Sequence, residues 1–352
     1  MGEKWPKGEL NMKALIIGGT GTISSAVVER LLKTGWEVTL LNRGHKPAPA
    51  GARVLVGDMG DEDGIRRLLQ DEAFDVVADF IVFTPEQARR EIRLFAGKAK
   101  QYIFISSASA YQKPVPALPI TEKTPLINPY WQYSRQKAEI EALLMAEYRQ
   151  KGFPVTIVRP SHTYGEGSLP VQIHGDKGPW QVLRRMQRGK TVPVAADGET
   201  LWTLTTAEDF ALYFCGLCGN EKALGQAYHI TSDQSVTWNE VYRILADLLH
   251  VEYRPCYIPA HLLAKCSQYD FNGSLLGDKA NSVQFDNSKV WRDTGIAPIR
   301  FTPFREGAAR SVAYFLSHPE MRREDPDFDA FCNRVEQAMQ AAESILLDTF
   351  PD

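Results

Sequence analysis

From residue 12 onward the chain alternates short apolar runs with longer stretches whose apolar positions recur at helical spacing. Residues 12–17 (MKALII) have the length and composition of a buried strand. The segment Gly18-Gly19-Thr20-Gly21 separates this run from 22–33, which sets Ile23, Val27, Val28, Leu31 and Leu32 on one helical face. A second strand-like run, 36–41 (WEVTLL), follows. The pattern continues with strands expected at 54–56, 74–83 and 102–106 and helices at 61–70 and 85–99. Beyond these come a long helix at 133–150, a strand at 155–158, a helix at 210–217 and a strand at 227–230. Helices are also expected at 238–249, 307–317 and 327–347.

Repeated strand–helix alternation predicts an α/β protein with a Rossmann-type, doubly wound parallel sheet, which binds ligands beyond the carboxyl ends of its strands. The expected division is a nucleotide-binding domain over 12–160, to which 205–230 returns. A smaller, discontinuous C-terminal α/β substrate lobe is expected over 161–204 and 231–320, then a helical tail over 321–352. The first ten residues read as an extension preceding the fold and not as a secretory signal, since charges and Pro6 interrupt any apolar core.

Composition narrows the functional classes. The 352 residues carry 40 Lys+Arg against 43 Asp+Glu, a formal net charge of −3, so the basic footprint of a general nucleic-acid binder is absent. No apolar stretch approaches the ~20 residues of a membrane-spanning helix. Cysteine numbers five, an odd count and too few for a disulfide framework. The Cys215-x-x-Cys218 pair adjoins the apolar run 210–217 and reads as buried thiols of a reducing cytoplasm, not as a metal site.

The glycine turn carries the first chemistry. Gly18 lets the chain turn off the strand, and Gly21 keeps side-chain atoms away from a pyrophosphate, with Gly19, Thr20, Thr22 and Ile23 completing the cradle. The helix N-terminus offers free N–H groups and a positive dipole end. Ser24, at the third position of the usual glycine pattern, is small enough for close helix packing. After the second strand, where NAD sites carry an acidic residue for the ribose, stand Asn42 and Arg43. With no carboxylate to repel a 2′-phosphate and an arginine to pair with one, the sequence favours NADP over NAD, although Arg43 also reads as a solvated loop charge. Asp58 falls where it can hold an adenine amino group or cap a helix.

A second constellation follows. Ser106-Ser107-Ala108-Ser109 closes the strand 102–106, and Tyr133 and Lys137 are i and i+4 on one face of a helix. Hydride exchange between a carbinol and a nicotinamide needs a group to move the hydroxyl proton, and a free phenol of pKa near ~10 is poorly poised for it. An ammonium one turn away favours the phenolate, and a serine hydroxyl can hold the substrate oxygen.

Together with Arg159-Pro160-Ser161-His162-Thr163-Tyr164-Gly165, these motifs resemble the extended short-chain dehydrogenase/reductases of the NAD-dependent epimerase/dehydratase type, over roughly residues 12–260. Asn42-Arg43-Gly44 and the run 79–87 look closest to a subgroup that contains the chloroplast stem-loop-binding proteins. The resemblance implies that Tyr133 is the catalytic acid/base, that Lys137 lowers its pKa and binds the nicotinamide ribose, and that Ser107, with Ser109 as runner-up, supplies the hydroxyl. It implies that Pro160 and the loop after it face the nicotinamide and the substrate. His162 and Tyr164 are then candidates for the substrate pocket, and His162 reads equally as a local structural histidine. Trp202 aligns where many members use an arginine to clamp a nucleotide sugar; an indole cannot replace that fork. Arg184, Arg185 or Arg188 are possible substitutes, or a solvated helix face.

The expected function is NAD(P)-dependent oxidation–reduction or epimerisation of a sugar-like or nucleotide-sugar hydroxyl, in a homodimer. Dehydration is disfavoured, because Ala108 and Ser109 stand where that branch carries acids. The rival readings are an RNA- or protein-binding member with a vestigial or regulatory nucleotide site, and an idle sensor of NADP(H).

Overall fold

The computed structural model describes residues 12–350; the extension read over the first ten residues lies outside them. The first half runs β1 (Lys13–Ile17), α1 (Thr22–Lys33), β2 (Glu37–Asn42), β3 (Arg53–Val56), α2 (Glu62–Leu68), β4 (Phe74–Asp79), α3 (Pro85–Phe95), β5 (Ala99–Ile105), α4 (Gln132–Lys151) and β6 (Val155–Pro160). Then come β7 (His162–Tyr164), α5 (Trp180–Gln187), β8 (Val192–Ala195), β9 (Leu201–Thr206), α6 (Ala207–Leu217), β10 (Gln226–Ile230), β11 (Ser235–Thr237) and α7 (Trp238–Leu249). The chain closes with β12 (Pro255–Ile258), α8 (Ala260–Leu263), α9 (Ser288–Thr294), α10 (Phe304–Ser317) and α11 (Pro326–Thr349).

The main sheet has the order β10-β6-β5-β4-β1-β2-β3 with every pairing parallel. Strand order reverses between β1 and β4, and the crevice opened there is the ligand position of a doubly wound fold. Its strands read as continuous apolar runs because both faces are covered. In β1, Ala14 and Ile16 enter the core beneath α1 and α6, whereas Leu15 and Ile17 enter the one beneath α2, α3 and α4.

The apolar run 74–83 does not form one strand. β4 stops at Asp79, whose carboxylate accepts a hydrogen bond from Ile81 N at 2.9 Å and turns the chain out of the sheet. Ile81 and Phe83 are exposed at the crevice mouth. Their apolarity serves a groove, which strand periodicity cannot distinguish from a buried strand.

The second body of structure has a three-stranded sheet, β11-β9-β7, and a two-stranded one, β12-β8. Its core joins Trp180 of α5, Trp202 of β9, Trp238 of α7 and Phe315 of α10 with Phe328 and Phe331 in the opening turns of α11. Val290 of α9 and Phe301 pack instead into the sheet core beneath α1 and α6. The last turns of α11 leave Ile345, Leu346 and Leu347 exposed. Among the described residues, no helix is long and apolar enough to cross a membrane. Cys215 and Cys218 are buried free thiols of α6, and burial holds both well above the ordinary thiol value, Cys215 at about 12.

Candidate active site

The glycine turn between β1 and α1 is built for close approach. Gly18 has φ +79°, and a Cβ there would lie 2.6 Å from Ile81 Cγ2. Gly18→Ala is therefore expected to lower the unfolding free energy by about 1–2 kcal/mol, measured by urea denaturation. Ser24 does more than keep the helix close: its hydroxyl donates to Gly18 O at 2.8 Å and accepts from Gly21 N at 2.9 Å, tying the turn to α1. The first turn of α1 carries no acidic side chain, so its positive end is left for an external anion. Gly19 is buried, and a Cβ there would stand 2.7 Å from Leu40 Cδ2.

Beside the turn lies a cleft of about 620 Å³ lined by Gly18, Thr20, Gly21, Asn42, Arg43 and Asp58. Asn42 Oδ1 accepts from Gly44 N at 2.8 Å, while its Nδ2 is buried with no hydrogen-bond partner. Arg43 and Lys46, both exposed in this cleft, make no ion pair with a described residue. Asp58 turns the chain by accepting from Gly60 N at 2.8 Å; the cap of α2 is Asp61, which accepts from Gly64 N at 2.9 Å. Thr22 faces an adjoining hollow that shares Thr20 and Gly21. An orphaned amide, a turn without side-chain bulk and an uncompensated helix end fit the adenosine and pyrophosphate of a dinucleotide.

At the other end of the crevice, a cleft of about 340 Å³ is lined by Ile23, Ser107, Tyr133, Pro160, His162 and Asp278, with Ser109 beside them. The Tyr133 phenol and Ser107 line the same cleft. Ser107 Oγ lies 2.9 Å from Ser109 Oγ, to which Ser134 Oγ donates at 2.7 Å. Asn128 Nδ2 fixes this segment by donating to Ser109 O at 2.7 Å. The hydroxyls of β5's end and α4's first turn thus form one chain, Ser134–Ser109–Ser107, whose Ser107 end shares the cleft with the Tyr133 phenol.

Lys137 departs from its expected action. Its ammonium donates to Val82 O at 2.6 Å and Ile105 O at 2.7 Å, is enclosed by the rings of Phe83 and Phe104, and stands 5.7 Å from the Tyr133 ring centroid. Burial pulls it down to about 8 against the opposing carboxylates of Asp79 and Glu141. Tyr133 is pushed above the ordinary phenol value by burial, partly offset by Ser107 and reinforced by the Asp278 charge. The Lys137 charge is turned to two carbonyls.

Two predicted substrate residues are not brought to this cleft. Tyr164 is buried against Phe304, with its hydroxyl crowded by Gly307. Trp202 is 2% exposed and stacks on Trp238 at 5.5 Å inside the second core. The arginines considered in its place are committed elsewhere: Arg185 to Asp329 and Arg184 and Arg188 to Glu324. His162 does line the cleft, and burial together with the Lys279 charge drives it down to about 3, so the ring is neutral.

Sequence reasoning missed Trp131, Asp278 and Lys279 in the cleft wall. It also missed the buried pair that seats α4: Arg159 Nε of β6 donates to Glu141 Oε1 at 2.9 Å. The only available signal was the i+4 spacing of Glu141 from Lys137, which continues the face that starts at Tyr133.

With this geometry in hand, comparison with known proteins is decisive at the level of family. The profile of the NAD dependent epimerase/dehydratase family matches residues 14–230. The chain belongs to that family. It is an enzyme whose cofactor is a nicotinamide dinucleotide, and its relatives include reductases and epimerases. It is 28% identical to 2'-dehydrokanamycin reductase of Streptomyces kanamyceticus over 78% of this chain and 81% of that protein. It is 30% identical to the chloroplast stem-loop binding protein of 41 kDa b of Arabidopsis thaliana, over 68% of this chain and 66% of the relative. The solved UDP-glucuronic acid 4-epimerase of Bacillus cereus, in complex with NAD, superposes with TM-score 0.67 at 17% identity, over 89% of this chain and 100% of that one. That likeness shows the shared fold.

Proposed function

We propose that this family member is an NADP(H)-dependent oxidoreductase that reduces a ketone, or oxidises the corresponding carbinol, on a sugar-like small molecule. The observation that carries the reading is the Tyr133 phenol and the Ser107 hydroxyl lining one end of a crevice whose other end is the glycine turn. The nicotinamide, when bound, supplies or accepts the hydride. Tyr133 gives its proton to the developing alkoxide, and a raised phenol pKa keeps that proton in place near neutral pH, which suits reduction. Ser107 orients the substrate oxygen, and the Ser109 and Ser134 hydroxyls behind it fix its rotor. An ammonium has three donors, and Lys137 has spent two on carbonyls, leaving one for a ribose hydroxyl.

Among the described residues, no arginine lines the reaction-end cleft, which supports a substrate without a pyrophosphate handle. The reductase relative supports the same direction of reaction.

The preference for NADP rests on Asn42 in the acidic position and on the cations Arg43 and Lys46, which make no ion pair with a described residue. In parallel titrations by nicotinamide fluorescence, NADPH is expected to bind about tenfold tighter than NADH, and Arg43→Ala to remove most of the difference. Tighter NADH binding by the unaltered protein would overturn the assignment.

A further inference from the structure

The segment Asn272–Lys279, coiled in wide π-type turns, descends from the second body onto Trp131 at the start of α4. It can do so because Gly273 and Gly277 have no side chains: a Cβ on Gly277 would stand 2.9 Å from Trp131 Cβ, and one on Gly273 would overlap the indole. This contact delivers Asp278 into the reaction-end cleft, which Trp131, Tyr133 and Ser107 also line. Trp131 and Tyr133 have ring centroids 5.0 Å apart.

We infer that the substrate carries a protonated amine near its reacting carbonyl, as an amino sugar does, and that Asp278 selects it. The inference rests on the oxidoreductase reading above and specifies its substrate.

The charge balance of the cleft wall carries the argument. Asp278 is the acid among the lining residues, and its carboxylate makes no hydrogen bond or ion pair with a described residue. Two lysines lie near it, and neither makes an ion pair with it. Lys279 gives its ammonium to Val171 O and Gln172 O, each at 3.0 Å. Lys113 is 3% exposed, with its Nζ fully enclosed and without a partner. Both lysines favour the ionised form of Asp278 against the burial that raises it to about 6. His162 is neutral. The Asp278 carboxylate is therefore the charged group of the cleft wall that has no hydrogen-bond partner among the described residues.

A neutral hydroxyl would offer that carboxylate only an uncharged hydrogen bond, whereas an ammonium gives it a direct charge-assisted one. The Trp131 face offers the same cation a second favourable contact. Pairing also has a kinetic consequence. The Asp278 charge opposes ionisation of Tyr133, and a cation held against it removes that opposition. A substrate with the amine thus eases the proton transfer it needs.

The test uses the full chain saturated with NADP and calorimetric titration of glucosamine, N-acetylglucosamine and glucose. These probes share a ring and differ at one substituent. Glucosamine is expected to bind about tenfold tighter than either neutral sugar, the scale of one charged hydrogen bond. Asp278→Asn should erase the preference and Asp278→Glu should retain it, with both variants binding NADPH as the parent does. Equal affinity for the three sugars, no measurable glucosamine binding, or an undiminished preference in the Asn variant overturns the inference. Failure of the underlying reading is separately visible, because the parent would then bind no NADPH before any sugar is added.

Discussion

Tyr133→Phe is expected to lower turnover by about 10²–10⁴-fold, the usual contribution of a positioned general acid, while NADPH affinity stays within about twofold of the parent. The ring remains in place because its packing against Trp131 and Phe83 does not involve the hydroxyl. What disappears is the proton, while the Ser107–Ser109–Ser134 chain is left in place. Ser107→Ala should cost less, since Tyr133 keeps its proton and only the orientation of the substrate oxygen is relaxed. The measurement is single-turnover oxidation of NADPH with a ketone substrate beside a fluorescence titration of the same samples. A Phe variant turning over at more than a tenth of the parental rate would remove Tyr133 from the chemistry.

Arg159→Met should destabilise the fold by about 3–5 kcal/mol, because it leaves the buried Glu141 carboxylate without its cation. The Arg159 and Glu141 side chains are only 6% and 4% exposed. The guanidinium also donates to Tyr111 Oη at 3.0 Å, and Tyr111 in turn meets His229 Nδ1 at 3.0 Å, so one deletion strips a connected network. Urea unfolding gives the magnitude, and adding Glu141→Leu to the Met variant should recover part of the loss by removing the stranded charge. A loss below about 1 kcal/mol would mean that water reaches the site and that the pair does not seat α4. The same variant should also lower activity, since Glu141 shares a helix face with Lys137 and Tyr133.

What could be read in the sequence was local in origin. The β1–α1–β2 unit announces itself because a strand, a glycine turn and an amphipathic helix follow one another within a short span, and each signal is a property of neighbours. Tyr133 and Lys137 were legible for the same reason: one turn of helix fixes their relation. The details that failed depend on tertiary surroundings. The spacing of Lys137 cannot reveal that the carbonyls of Val82 and Ile105 capture its ammonium, because they come from other elements. Trp202 stood at an aligned position, but β9 turns it with Leu204 into the second core. Asp278 lies in a segment with no helical or strand periodicity, and only the approach of Gly273 and Gly277 to Trp131 brings it to the cleft.

The path of the chain between its cores matters while the protein is being made. The sheet core takes residues from 14–105, Val158, then 210–230, and finally Val290 and Phe301. The other core interleaves with it, drawing on 108–120, 164–204, 238–283 and 304–332. A ribosome that has released only the first two hundred residues therefore presents β1 and β4 with one apolar face still lacking α6. Neither core can be sealed early and left to wait for the other. Such a nascent chain is a natural client for a chaperone, and a gene split between β9 and α6 would encode two fragments that each hold unfinished parts of both cores.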